Sequence, residues 1–285
     1  MKKVVAFYFI MILPLTVFII NGCAKEIKKK DIGLQLWSIR QDMHKDPVKT
    51  IEELGKTGYA FVETADYSHG RFYGMSPADF KALVEKNNMR FLSSHTGLAV
   101  PDSASWESAM AWWDTCIDAH AAAGVQYIVQ PFMDSVGYTS LSGLQRYCDY
   151  FNAVGKKCRD KGILFGYHNH SGEFATLEGQ TIYDYMLQHT DSSQVFFQND
   201  LYWTQMGGKN PVDYFTRYPG RFKLWHVKDE KEVGASGKMD FKTLYENAAL
   251  AGMQYAVVEQ EEYTTTPMEG VKASLEYLQN ADFVK

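Results

Sequence analysis

Cysteine is scarce in this chain, with four among 285 residues. Cys23 closes an N-terminal apolar stretch, and the remaining three, Cys116, Cys148 and Cys158, are an odd number for an oxidised framework. Cys116 and Cys148 fall in amphipathic helical patterns, so buried free thiols are expected, with a single bridge as the alternative. An excess of positive charge is missing too, since 29 Lys and Arg stand against 34 Asp and Glu for a formal net charge of −5. A chain that reads nucleic acid normally carries a basic face, and none is indicated here. Also lacking is the glycine fingerprint that cradles a dinucleotide in an open α/β sheet. What is abundant is ring and apolar surface: 14% aromatic and 46% hydrophobic residues, enough for a sizeable core with a ring-lined pocket.

The N-terminus reads separately from the rest. Met1, Lys2 and Lys3 form a positive region, residues 4–20 are an apolar stretch broken by Pro14, and Ile20, Asn21, Gly22 and Cys23 close it. Those last four residues resemble the lipobox of bacterial lipoproteins, with Ile where Leu is usual, and the resemblance implies lipidation of Cys23. The expected organisation is a lipoprotein signal peptide over 1–22, a polar tether over 23–30 and one domain over 31–285. The protein would then be exported and membrane-anchored through its lipid, in the periplasm or at the cell surface. An uncleaved transmembrane helix is the alternative, but a short stretch containing Pro14 suits a span poorly.

Beyond the tether, short apolar runs alternate with longer helical patterns. Strands are expected at 32–37, 59–62, 89–93, 126–129, from 163 into His168, 194–198, 222–225 and 255–258. Helices are expected at 47–56, from Pro77, and at 105–123, 141–159, 180–188, 211–218, 240–251 and 269–280. Gly58, Gly124, Gly162 and Gly252 stop four of them, and Ser76 with Pro77 supplies a cap and a first helical residue. Eight such units in one domain predict a closed (β/α)₈ TIM barrel rather than a doubly wound open sheet.

A barrel of this kind brings all eight C-terminal strand ends to one face. The residues arriving there are Trp37, Glu63, His95, Gln130, His168 with His170, Asp200, His226 and Glu259. Each alone is an ordinary strand-end residue; their joint appearance is not. His168, Asp200, His226 and Glu259 come from four successive strands, and two imidazoles with two carboxylates suit one divalent ion such as Mn, Co, Zn or Fe. The alternative is a hydrogen-bonded cluster of His–carboxylate pairs without metal. Trp37, Trp203 and Tyr202 are placed to stack on a ring-shaped ligand or to pack the rim.

Here the whole mature chain resembles the xylose-isomerase-like barrel superfamily, the sugar isomerase and epimerase group that includes endonuclease IV. The resemblance rests on Tyr167-His168-Asn169-His170 with Glu173, Asn199-Asp200-Leu201-Tyr202-Trp203, His226-Val227-Lys228-Asp229 and Val258-Glu259. Family metal ligands run Glu, Asp, His, Glu, so Asp200, His226 and Glu259 match and His168 stands in place of the first Glu.

The resemblance implies an enzyme acting on a small-molecule carbohydrate; the net charge and the export signal argue against a nucleic-acid partner of the endonuclease IV kind. Its metal polarises a sugar carbonyl, a base removes the adjacent proton, and the resulting enediolate is reprotonated in an isomerase or epimerase. Glu259 is the expected base, His168 a ligand or proton carrier, and Lys228 an oxyanion partner. Substrate contacts are expected from Trp37, Glu63, His95, Gln130, His170, Glu173 and Trp203. Because His168 removes one of the two glutamates that epimerases use, a lyase or hydratase eliminating across a 3-keto-glycoside is the alternative. A non-catalytic sugar-binding lipoprotein is a second alternative. No phosphate cradle is apparent, which argues against a phosphorylated substrate.

Overall fold

The computed structural model describes residues 1–3 and 29–285. The expected signal peptide beyond Lys3, the lipidation of Cys23 and most of the tether lie outside the described residues. Among the described residues, no helix is long and apolar enough to cross a membrane.

Eight parallel strands close a barrel: β1 (Ile32–Gln35), β2 (Phe61–Thr64), β3 (Arg90–His95), β4 (Tyr127–Gln130), β5 (Leu164–His168), β6 (Val195–Asp200), β7 (Leu224–Val227) and β8 (Tyr255–Val258). Each pairs with its neighbours in chain order, and β1 closes the ring on β8 with Leu34 opposite Val258. The crossover helices are α1 (Pro47–Leu54), α2 (Pro77–Lys86), α3 (Trp106–Ala123), α4 (Leu141–Asp160), α5 (Ile182–His189), α6 (Pro211–Arg217), α7 (Phe241–Glu246) and α8 (Pro267–Asn280). Their starts follow from capping chemistry, in which a side-chain oxygen accepts from an otherwise unpaired N–H. Asp46, Ser76, Ser140 and Thr266 do this for α1, α2, α4 and α8, and Thr266 with Glu269 completes a capping box.

The structure departs most from the sequence expectation at three elements. Trp37 does not extend β1 but lies in a 3₁₀ turn over Leu36–Ile39, because the Gln35 side chain accepts from the Trp37 N–H and turns the chain. Residues 180–181 are not helical; they pair with Thr176–Leu177 in a small hairpin whose turn residues Glu178 and Gly179 both have positive φ. The helix expected over 240–251 breaks at Asn247 into α7 and a short turn over Ala248–Ala251. Among the described residues, Cys116, Cys148 and Cys158 are buried and form no disulfide, as expected.

Side chains alternate along each strand, so one set faces the helices and the other fills the bore. Val62, Ile128, Phe165, Tyr167, Phe197 and Trp225 belong to the core between barrel and helices. The bore holds Phe61, Leu92, Tyr127, Val129, Phe196, Leu224 and Val257. Its rings meet edge-on, Phe61 with Tyr255 at 5.4 Å and Tyr127 with Phe196 at 5.6 Å. Gly33 and Gly166 make room for two of them: a Cβ at Gly33 would lie 2.0 Å from the Phe61 ring, and one at Gly166 would lie 2.6 Å from that of Phe196. Toward the C-terminal end the bore turns polar.

Candidate active site

The change is abrupt because the next inward position on most strands is a titratable or amide residue. Two steps on from Phe61 stands Glu63, from Phe196 comes Gln198 and then Asp200, from Leu224 comes His226, and from Val257 comes Glu259. On β3 an extra residue intervenes: Val62 pairs with Phe91 but Glu63 pairs with Ser93, a bulge that turns Ser93 as well as His95 toward the centre. All of these residues are buried.

His168, Asp200, His226 and Glu259 each present one donor atom, and the four atoms lie within 4.8 Å of one another. His95, His168 and His226 form a second set at the same spacing. Nδ1 of His226 is 3.2 Å from Glu259 Oε2 and 4.0 Å from Asp200 Oδ2. Oδ1 of Asp200 accepts from the Trp203 N–H at 2.7 Å, which leaves Oδ2 buried without a partner among the described residues. Nδ1 of His168 is likewise buried and unpartnered. Buried polar atoms of two imidazoles and two carboxylates, converging with those of Asp200 and His168 unpartnered among the described residues, are the donor set a divalent metal takes, so the residues fit one.

Electrostatics divide the cluster. Burial, reinforced by the neighbouring imidazoles His226, His170 and His95, pushes His168 well down, so it is neutral and able to ligate. Burial would lower His226 as well, but Glu259 and Glu63 outweigh it and lift the ring to about 10. Burial raises Asp200 to about 7 against the pull of Lys228. It opposes ionisation of Glu259 too, yet His226 and Lys228 prevail and hold that carboxyl well below the usual range.

A cavity of about 450 Å³ opens above the cluster. Its wall includes Trp37, His95, His168, His170 and Glu259, all expected from the sequence, together with Asp66, Tyr67, Phe132 and Glu261, which were not. The missed four lie one to three residues past strand ends, where no periodicity marks which side chain turns inward.

Other expected substrate contacts are placed elsewhere. Glu63 lies beneath the wall, fully buried and bonded within the protein. Gln130 faces out of the bore and donates to the Leu98 and Phe132 carbonyls at 2.9 Å, bracing the loops there. Glu173 accepts from the hydroxyls of Tyr138 and Tyr167, both at 2.6 Å, and from the His170 N–H at 2.9 Å. It sets the His170 turn instead of facing the cavity. Trp203 is off the wall, with Lys228 Nζ 5.4 Å from its ring centre. Lys228 itself is buried, 3.5 Å from Glu259 and bonded to Glu261, which makes it a support for Glu259 rather than a free oxyanion donor.

Comparison with known proteins agrees with this architecture. Residues 51–281 match the family described as Xylose isomerase-like TIM barrel. The chain is 21% identical over 223 residues to an inosose dehydratase of Geobacillus kaustophilus, covering 72% of this chain and 69% of that protein. A solved sugar phosphate isomerase/epimerase from Parabacteroides distasonis is 32% identical and superposes with a TM-score of 0.84 over 96% of this chain and all of its own. D-psicose 3-epimerase from Clostridium cellulolyticum shares the fold at 14% identity, with a TM-score of 0.67 over 89% of this chain and 99% of its own. The chain belongs to the xylose isomerase-like TIM barrel family.

Proposed function

We propose that the chain is a divalent-metal-dependent enzyme that enolises an uncharged keto-sugar and completes the reaction by β-elimination. The observation that carries this reading is the composition of the wall: of the four candidate ligands, Glu259 is the one carboxylate that lines the cavity, and it shares the wall with His95, His168 and His170. Epimerisation is best served by two like bases, one on each face of the substrate carbon. Elimination needs one base and one acid, and a carboxylate opposed by imidazoles supplies that asymmetry. The dehydratase relative supports the same direction.

His168, Asp200, His226 and Glu259 would hold the ion. A bound divalent ion would supply Lewis-acid polarisation of the substrate carbonyl. Glu259, kept ionised by the neighbouring Lys228, accepts the proton from the carbon beside that carbonyl. The electron pair so released forms the double bond as the C–O bond to the leaving group breaks. His170, whose backbone N–H is held by Glu173, transfers its ring N–H proton to the departing oxygen, which leaves as a neutral hydroxyl compound or water. Trp37, Tyr67 and Phe132 offer ring faces to the sugar. Asp66, Glu259 and Glu261 are the charged residues of the wall other than histidine, and no Lys or Arg is among its lining residues, so a sugar phosphate would meet repulsion there.

Isomerisation or epimerisation of a keto-sugar is the second reading, supported by the ligand cluster common to both outcomes. The deciding experiment is metal analysis of the purified protein with product identification by NMR on 3-keto-glycosides and free ketoses, beside Glu259→Gln. Near-stoichiometric metal with an unsaturated product lost in the variant supports elimination. Turnover of ketoses alone replaces it with isomerisation, and absence of metal uptake from Mn, Co, Zn and Fe leaves sugar binding without catalysis. We further propose export and tethering through lipidated Cys23, tested by labelled fatty-acid incorporation that Cys23→Ala abolishes.

A further inference from the structure

We propose that Glu63 is a positioning residue that sets the tautomer and ring orientation of His226 and, through Gln198, of His95. The inference rests on the metal site proposed above, but its geometry does not depend on the reaction catalysed there.

Glu63 projects from β2 into the bore and reaches His226 on β7. Its Oε1 accepts from Gln35 Nε2 at 2.9 Å and from His226 Nε2 at 2.6 Å, with His95 Nε2 at 3.1 Å. Its Oε2 accepts from Ser93 Oγ at 2.5 Å and from Gln198 Nε2 at 2.9 Å. An ionised carboxylate is acceptor-only, with about four lone-pair sites, so donors already occupy it fully. Glu63 therefore has nothing left for a metal or a substrate.

What it does instead follows from its partners. Because Glu63 can only accept, His226 carries a hydrogen on Nε2, so Nδ1 is the ring atom left for an ion, which would take the place of any proton there. That is the atom 3.2 Å from Glu259 and 4.0 Å from Asp200. The Gln198 amide donates to Glu63, so its Oε1 is the atom turned to His95 Nε2 at 2.6 Å, and His95 also carries its hydrogen on Nε2. Gln35 donates to Glu63 with Nε2 while its Oε1 accepts from the Trp37 N–H at 3.0 Å. One carboxylate thus ties together a candidate ligand, an imidazole of the wall and the turn that presents Trp37.

Glu63→Gln in the full-length protein tests this. The new amide must point a donor at either the His226 side or the Gln198 side, and each choice reverses a hydrogen-bond direction. Zinc affinity by calorimetry is expected to fall about 10- to 100-fold, the range for lost partners of metal-bound histidines. Nitrogen-15 NMR is expected to show Nε2 of His226 and of His95 protonated in wild type, and one of the two reversed in the variant. Glu63→Asp, which keeps the acceptor-only group, is expected to preserve both tautomers. Zinc affinity within twofold of wild type, or unchanged tautomers in Glu63→Gln, overturns the inference. The wild-type tautomers decide it even where the variant fails to fold: an unprotonated Nε2 on His226 overturns it in the zinc-loaded or the metal-free protein. Failure of wild type to bind metal would count against the proposed function while leaving that readout intact.

Discussion

Lowering the pH should weaken this barrel through a residue outside the metal cluster, His120 on α3. Its ring is fully buried, Nδ1–H donates to the Cys116 carbonyl at 2.7 Å, and Nε2 has no partner among the described residues. Tyr67 lies tilted beside it at 4.8 Å and Phe72 meets it edge-on at 4.9 Å. Burial pushes the imidazole down to about 4, opposed by the carbonyl bond, from an ordinary 6.5. Between those values the unfolded chain binds a proton that the folded chain refuses, so unfolding free energy falls as pH falls. The full span of about 2.5 units corresponds to about 3 kcal/mol, of which about 2 kcal/mol is lost by about pH 5. The control is His120→Asn, since Asn87, Asn247 and Asn280 already donate to the carbonyl four residues back in this fold, at 2.8 to 2.9 Å. Urea unfolding of both proteins at about pH 7 and about pH 5 cancels the acid sensitivity they share. Wild type should lose about 2 kcal/mol more than the variant over that interval. Equal losses, within about 0.5 kcal/mol, would refute a neutral buried His120. Because Tyr67 lies between His120 and the cavity, the same transition should blunt substrate binding before global unfolding.

Three other outcomes follow from contacts already described. Gly166→Ala drives a methyl into the Phe196 ring, within 2.6 to 2.7 Å of three of its atoms, and should destabilise by about 1–3 kcal/mol in chemical denaturation. Glu173→Gln turns a donor toward the His170 N–H or toward two tyrosine hydroxyls; a loss of about 1–3 kcal/mol is expected, with KM rising as the His170 turn loosens. Saturating the site with its ion at about 100 times its Kd should raise unfolding free energy by about 2.7 kcal/mol, and chelation should reverse it, with Asp200→Asn abolishing the response.

How much of this was legible in the sequence depends on which force set each feature. The eight strands were visible because a strand covered on both faces must be apolar, and Tyr255–Val258 was placed to the residue. The end of β1 was not, since the turn at Trp37 is made by a side-chain bond from Gln35 that leaves no hydrophobic trace. The break at Asn247 is similar: Ala248–Ala251 carries a good helical composition, and the interruption appears only in the local geometry. Loop residues such as Asp66 and Glu261 reach the cavity by the path of a turn, which alternation does not encode.

The candidate ligands were legible for a more specific reason. Inward positions repeat every two residues, so Phe196 to Gln198 to Asp200, Leu224 to His226, Leu164 to Gly166 to His168, and Val257 to Glu259 all preserve parity from the apolar bore to the polar cluster. The same rule places Gln130 on the outward face, one step from Val129 in the bore, and the structure uses it there to brace loop carbonyls. Parity fails at β3, where Leu92 is in the bore and His95, three residues on, is at the cavity. The bulge beside Glu63 accounts for that extra residue, and it brings Ser93 Oγ to the carboxylate as well. The irregularity invisible to periodicity is therefore the one that completes the Glu63 network, and with it the hydrogen-bond directions on which His95 and His226 depend.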